Sequence, residues 1–292
     1  MAKKPKPPEW VTFEDALRAF VLAEGGTEGS THIDPMHWHV ASRLVVEGGF
    51  DPDFIKPRPP FVIKRKAGRL LLAYDASAAR PGEATVLGGL KTKDIDVVVS
   101  IPGVGPCVAI SMKGSLNAFR NLTNRLEEAI GDCANVHMGY PSLVYGFLIL
   151  MCANREGLVP SALKGRLQAD GTTGRVKMSD IAIRSNGDVS EYIGGFHEAM
   201  VRLAGRKDLR DDVSRYEAVS LLLASPDDAT LGKSFVNIRQ SKALYTSISS
   251  LRISTRPTIC AMSTTQSGSE VRRVDSFGIE NRRPSGIRAQ RG

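Results

Sequence analysis

Apolar and polar positions repeat with readable periods along most of the chain. From Trp10 to Leu22 the apolar residues Phe13, Leu17, Phe20 and Val21 recur at helical spacing, which predicts a helix with one buried stripe. Asp34-Pro35 supplies an N-cap and a proline at the first helical position, and Gly48-Gly49 supplies a stop, so a second helix is expected between them. The proline-dense stretch from Asp51 to Pro60 is not expected to be regular. Beyond it, Phe61 to Lys64 and Leu70 to Tyr74 read as a hairpin. The clearest local signal follows: Ile95 to Ile101 and Cys107 to Lys113, rich in β-branched residues, flank Pro102-Gly-Val-Gly-Pro106 and predict a second hairpin.

Ser115 to Gly131 is predicted as a helix with Phe119, Leu122, Leu126, Ala129 and Ile130 on its core side. Ser142 to Cys152 is expected to be a buried strand, although periodicity alone leaves a helix open for so short an apolar run. A helix at Val189 to Ala204, a strand or helix at Tyr216 to Ala224 and a helix around Phe235 to Leu251 complete the pattern. Nothing between them resembles a linker. The expectation is a single mixed α/β domain over residues 10–262, preceded by a flexible Lys/Pro-rich stretch, 1–9, and followed by a flexible Arg-rich tail, 263–292.

Composition narrows the classes. At 292 residues the chain can bury a full core, and its apolar runs are too short or too interrupted to cross a bilayer. No apolar segment follows the basic N-terminal residues, so a secretory signal is not expected and a cytoplasmic location is. Cys107, Cys133, Cys152 and Cys260 are widely spaced among apolar neighbours and read as reduced thiols. His37 and His39, two apart on a helix, point in different directions and are not expected to pair on zinc. The Gly25-Gly-Thr-Glu-Gly29 loop lacks the lysine and the strand–loop–helix frame of a phosphate-binding loop, so no nucleotide cofactor is expected. The formal net charge of +8 favours a polyanionic partner through long-range attraction.

The second hairpin carries the candidate chemistry. Residues facing each other across an antiparallel pair point to one side, and alternate residues share a face. With an even-numbered loop, such as Pro102 to Gly105, Asp96 lies opposite Ser111 or Lys113, and all three converge at one end of the hairpin. A carboxylate and a lysine there suit phosphodiester hydrolysis: the acid binds a hard cation such as magnesium, and the lysine orients a water and offsets negative charge. Asp94 shares the face of Asp96 by alternation.

This arrangement resembles the PD-(D/E)xK nuclease core, in which an Asp opens one strand and an acid-x-Lys closes the next. Here the tripeptide is Ser111-Met112-Lys113, without the usual second acid, and Ile95-Asp96 replaces the leading Pro-Asp. The pattern is similar to the branch of type II restriction endonucleases, many of them CCGG cutters, that carry that acid on the following helix. Thirteen residues separate Lys113 from Glu127, as that branch expects, and Asn121-Leu-Thr-Asn-Arg-Leu-Glu-Glu-Ala-Ile-Gly-Asp132 reads like restriction-enzyme sequence. The likeness is close only over Asp94 to Gly146, and the Arg/Asp-rich recognition segment of CCGG readers is absent.

The resemblance implies a restriction-endonuclease-like fold, a mixed central sheet flanked by helices, and magnesium-dependent hydrolysis of double-stranded DNA by a homodimer. Asp96 and Glu127 would hold the metal and Lys113 would position water, with Glu128 the rival to Glu127 and Glu47 a candidate assistant at a second metal. Asn117, Arg120, Asn121 and Asn124 would offer the amide and guanidinium groups suited to base edges in the major groove. Relaxed-specificity nucleases of the same fold and catalytically silent DNA-binding proteins are the alternative readings.

Overall fold

The computed structural model describes residues 11–23, 32–159, 174–227 and 230–234. The expected helix at Phe235 to Leu251, both ends expected to be flexible, the Gly25–Gly29 loop and Cys260 lie outside these residues. Helix α1, Phe13–Leu22, begins at a capping box in which the Thr12 hydroxyl accepts the Asp15 N–H and the Asp15 carboxylate accepts the Thr12 N–H. Its stripe of Ala16, Leu17, Phe20 and Val21 is buried. Helix α2, Asp34–Val46, packs against it.

The proline-dense stretch is more ordered than its composition suggests. A 3-10 turn at Pro52–Phe54 is held by the Asp51 carboxylate, and Ile55–Lys56 forms a short edge strand, β1. Prolines are tolerated there because an edge strand leaves one side unpaired. Strands β2, Phe61–Lys66, and β3, Arg69–Tyr74, form the first hairpin as an isolated two-stranded ribbon. A second ribbon, β4, Ala84–Leu87, with β5, Thr92–Ile95, leads directly into the main sheet.

The main sheet has five strands: β1, β6 (Val97–Ile101), β7 (Gly105–Ser115), β8 (Val144–Cys152) and β9 (Ala218–Ala224), side by side in that order. β1, β6 and β7 are antiparallel, while β7, β8 and β9 run parallel, so the sheet is mixed. Parallel neighbours need crossovers. Helix α3, Leu122–Gly139, connects β7 to β8, and helix α4, Glu191–Leu203, lies between β8 and β9 in the chain. The two faces carry separate apolar clusters, one with α1 and α2, the other with α3 and α4. The molecule is thus mixed α/β with helices on both faces of the sheet. Among the described residues no helix is long and apolar enough to cross a membrane.

Three expectations require correction. β7 continues to Ser115, Ala118 takes a left-handed conformation at φ +54°, and a 3-10 turn spans Phe119–Asn121, so the helix expected from Ser115 starts only at Leu122. It then extends beyond Gly131, because Cys133 and Val136 prolong the buried stripe, while Ile130 is left exposed. The hairpin loop holds three residues rather than four, and a register shift between Val99 and Ser100 compensates. Consequently Val97 still faces Ile110, and the next position on each strand sets Asp96 against Ser111.

Candidate functional site

Asp96 stands where the chain leaves the β4–β5 ribbon and enters the main sheet. At that end β6 no longer supplies a partner for β7, and the Asp96 carboxylate does so instead: Oδ2 accepts the Met112 N–H at 2.6 Å. This bond pins the carboxylate across the sheet end and leaves Oδ1 facing a recess. Asp96 and Glu83 both line two recesses, of about 240 and 290 Å³. The first also contains Asp94, Lys93, Ser111, Lys113 and Arg125. The second contains Asp34, His37 and Trp38 of α2 and the turn Pro81-Gly82.

Lys113 projects from β7 into the first recess, two residues beyond Ser111 on the same face. The Ser111 hydroxyl is buried and bonded to the Tyr145 hydroxyl at 2.8 Å, so it is held rather than free to move. Gly114 lies against His32: a Cβ there would stand 2.5 Å from the imidazole Nε2. Any side chain beside Lys113 would have to displace the His32 imidazole and the Phe20 ring.

On α3 the side that meets the site is the line Arg125, Glu128, Asp132, spaced at helical intervals. Arg125 lines the recess, Glu128 Oε1 is 3.5 Å from Lys113 Nζ, and Asp132 binds Lys93 at 2.5 Å. Partial burial raises the pKa of Glu128, but Lys113 and Arg125 overcome it and hold the carboxyl below its ordinary range. Neither Glu128 nor Glu127 lines either recess: Glu128 reaches Lys113 and Arg125, whereas Glu127, one residue earlier, is exposed. Glu47 sits at the C-terminus of α2, paired with Arg43, and is likewise outside both.

Asn117 lies in the loop after β7, Arg120 and Asn121 in the 3-10 turn, and Asn124 in the first turn of α3. They do not share a single helix face, and none lines the recesses. Asp180 fixes this loop by accepting the Ala118 N–H at 2.9 Å. Asn154 donates to the Leu116 carbonyl at 2.7 Å.

Several residues escaped the sequence reading. Glu83, Lys93 and Arg125 carry charges found throughout any surface, and only the fold brings them to Asp96. His37 had a stronger signal. Its Nε2 is 3.5 Å from Asp96 Oδ1, and burial lowers its pKa against the opposing pull of Asp96, Asp34 and Glu83. His39 turns away to contact the Val11 carbonyl and Phe13.

The donors facing the recess are hard oxygens. Among the described residues no three His, Cys, Asp or Glu side chains form a cage for a metal ion. Magnesium does not require one, since it keeps several waters and takes one or two carboxylates. The oxygen donors therefore fit magnesium in kind. No family model, curated protein or solved structure matches the chain.

Proposed function

We propose that the chain is a magnesium-dependent endonuclease acting on double-stranded DNA, with a restriction-endonuclease-like core and its active centre at the Asp96–Lys113 recess. The observation that carries this reading is the meeting of a pinned carboxylate, Asp96, and a lysine, Lys113, in one recess at an open sheet end, with the helix-borne Glu128 3.5 Å from the lysine. Asp96 and Glu128 are the residues that would hold the magnesium, and the ion would supply charge neutralisation at the scissile phosphate. Glu128 is preferred to Glu127 because it, and not its neighbour, meets Lys113. The Met112 N–H fixes Asp96 in one orientation. Lys113 orients the attacking water and receives electrostatic support from Glu128. Cutting both strands of a symmetric site calls for two such centres, so the working form is a homodimer in this reading.

A second reading, binding without cleavage, rests on Ser111. Where the resemblance expects an acid, this chain has a hydroxyl already engaged by Tyr145. Incubation of a plasmid mixture with and without magnesium separates the possibilities. Discrete fragments that appear only with magnesium support the site-specific nuclease, a smear supports a relaxed one, and retarded but intact DNA supports the silent binder.

A further inference from the structure

The β2–β3 ribbon carries four cations, Lys64, Arg65, Lys66 and Arg69, and no acid between Phe61 and Tyr74. Every residue from Ile63 to Leu70 is exposed, and among the described residues none of the four cations enters an ion pair. Register sorts the two faces. Lys64 pairs with Leu71 and Lys66 with Arg69, so Lys64, Lys66 and Arg69 share one face. The other face carries Phe61, Ile63, Leu70, Leu72 and Tyr74 with Arg65, and its base, Phe61 and Leu72, packs on the core. The ribbon is thus anchored by a mainly apolar side, and its other side presents the three cations beyond Val62, Leu71 and Ala73.

Its stem is tied to the candidate site. The Asp75 N–H donates to the Pro60 carbonyl at 2.9 Å, and Arg58 and Arg80 exchange backbone bonds of 2.9 and 3.1 Å. Directly beyond these ties, Pro57 on one side and Pro81, Gly82 and Glu83 on the other line the recess of Asp96. Six residues per strand give a projection of about 20 Å, and a two-stranded ribbon fits a duplex groove about 12 Å wide. The tip is a tight turn with Ala67 and Gly68 at φ +50° and +75°, a conformation that matches strand twist and holds the arm as one unit.

We propose that the Lys64–Lys66–Arg69 face is a phosphate-binding arm that grips double-stranded DNA beside the Asp96 recess. Charge complementarity carries the assignment: three exposed cations on one face, in no ion pair among the described residues, stand next to a recess lined by Asp34, Glu83 and Asp96 that cannot hold a polyanion unaided. The arm deepens the nuclease reading by naming how its substrate is held, and it rests on that reading only for the choice of DNA.

The test is equilibrium binding of a fluorescent duplex to the full chain in calcium across a salt series, alongside plasmid cleavage in magnesium. Replacing Lys64, Lys66 and Arg69 together by Ser should lower the salt slope of log Kobs by about 2.7, about 0.9 for each lost phosphate contact. A Lys64→Arg, Lys66→Arg, Arg69→Lys variant should keep the slope, and unchanged thermal melting of both establishes that they fold. Neutralising three cations elsewhere, Lys207, Arg210 and Arg215, serves as control. An unchanged slope in the Ser variant, or an equal drop in the control, overturns the arm. Equal binding to phosphatidylglycerol vesicles overturns its assignment to DNA. A wild-type chain that binds duplex with the full slope but never cuts overturns the nuclease reading and leaves the arm standing. Cleavage with normal binding in the Ser variant does the reverse.

Discussion

At the residue scale the deciding feature is which α3 carboxylate serves Lys113. Glu128→Ala should reduce cleavage strongly, whereas Glu127→Ala should keep substantial activity, because adjacent helical residues point about 100° apart and only Glu128 meets the lysine. Lys113→Ala should lower the single-turnover rate by about 10²–10⁴-fold, the usual contribution of a positioned proton-transfer group. The reverse ranking of the two glutamates would return the ligand to Glu127. The sequence could not make this choice. The thirteen-residue spacing is counted through a loop and a 3-10 turn before α3 begins, and each changes the rotation that a continuous helix would give. That Asp96 and Lys113 come to one recess could be read from the hairpin only because the register shift between Val99 and Ser100 offsets the odd-numbered loop, which would otherwise have turned one strand over relative to the other.

Histidine titration gives a second residue-scale test. Burial lowers the pKa of His37 and of His39 below the ordinary value of 6.5. The unfolded chain then binds protons that the fold resists, so stability is complete above about pH 6.5 and falls as the pH drops below it. Thermal melting should follow that course, and a His37→Gln, His39→Gln variant should show a flatter acid limb. An identical limb in the variant would assign the loss to other groups.

At the element scale, hairpins and helices with strong periodicity were readable. α1, α2, the β2–β3 ribbon, β8 and α4 all lie close to where their patterns put them. The junctions were not, because they are set by tertiary partners: Asp180 and Asn154 hold the loop before α3, and both are remote in sequence. A buried cluster at the opposite end of the sheet was equally silent. Arg206 donates to Glu217 at 2.6 Å and to the Pro141 carbonyl at 2.8 Å, while Glu217 also accepts the Tyr145 N–H. Arg206→Met leaves Glu217 facing its burial without its cation and should cost about 3–5 kcal/mol in a denaturant titration. A loss no larger than that of an exposed arginine would remove the cluster from the stability account. The ribbon turn offers the opposite change. Asn tolerates the left-handed conformation better than Ala, so Ala67→Asn should stabilise the ribbon by up to about 1 kcal/mol. Amide exchange at Lys64 to Leu71 would slow accordingly, and faster exchange would argue against the turn as described.

At the scale of the whole molecule, the formal net charge of +8 favours a polyanionic partner through long-range attraction, while Asp34, Glu83, Asp94 and Asp96 line the two recesses together with Lys93, Lys113 and Arg125. In the proposed reading the ribbon cations grip and the recess carboxylates act, so binding should survive changes that abolish cutting. The mixed α/β class was legible from the order of strands and helices, whereas the mixed central sheet came only with the resemblance and the β4–β5 ribbon was not anticipated, because its strands of four residues carry too short a pattern. The most direct measurement is cleavage of one plasmid by the wild-type chain and by Asp96→Ala, in magnesium, with duplex binding measured in calcium. Discrete fragments are expected from the wild type, none from the variant, and comparable binding from both. Equal cleavage by the two proteins, or intact DNA from a wild-type chain that binds duplex tightly, would contradict the nuclease reading.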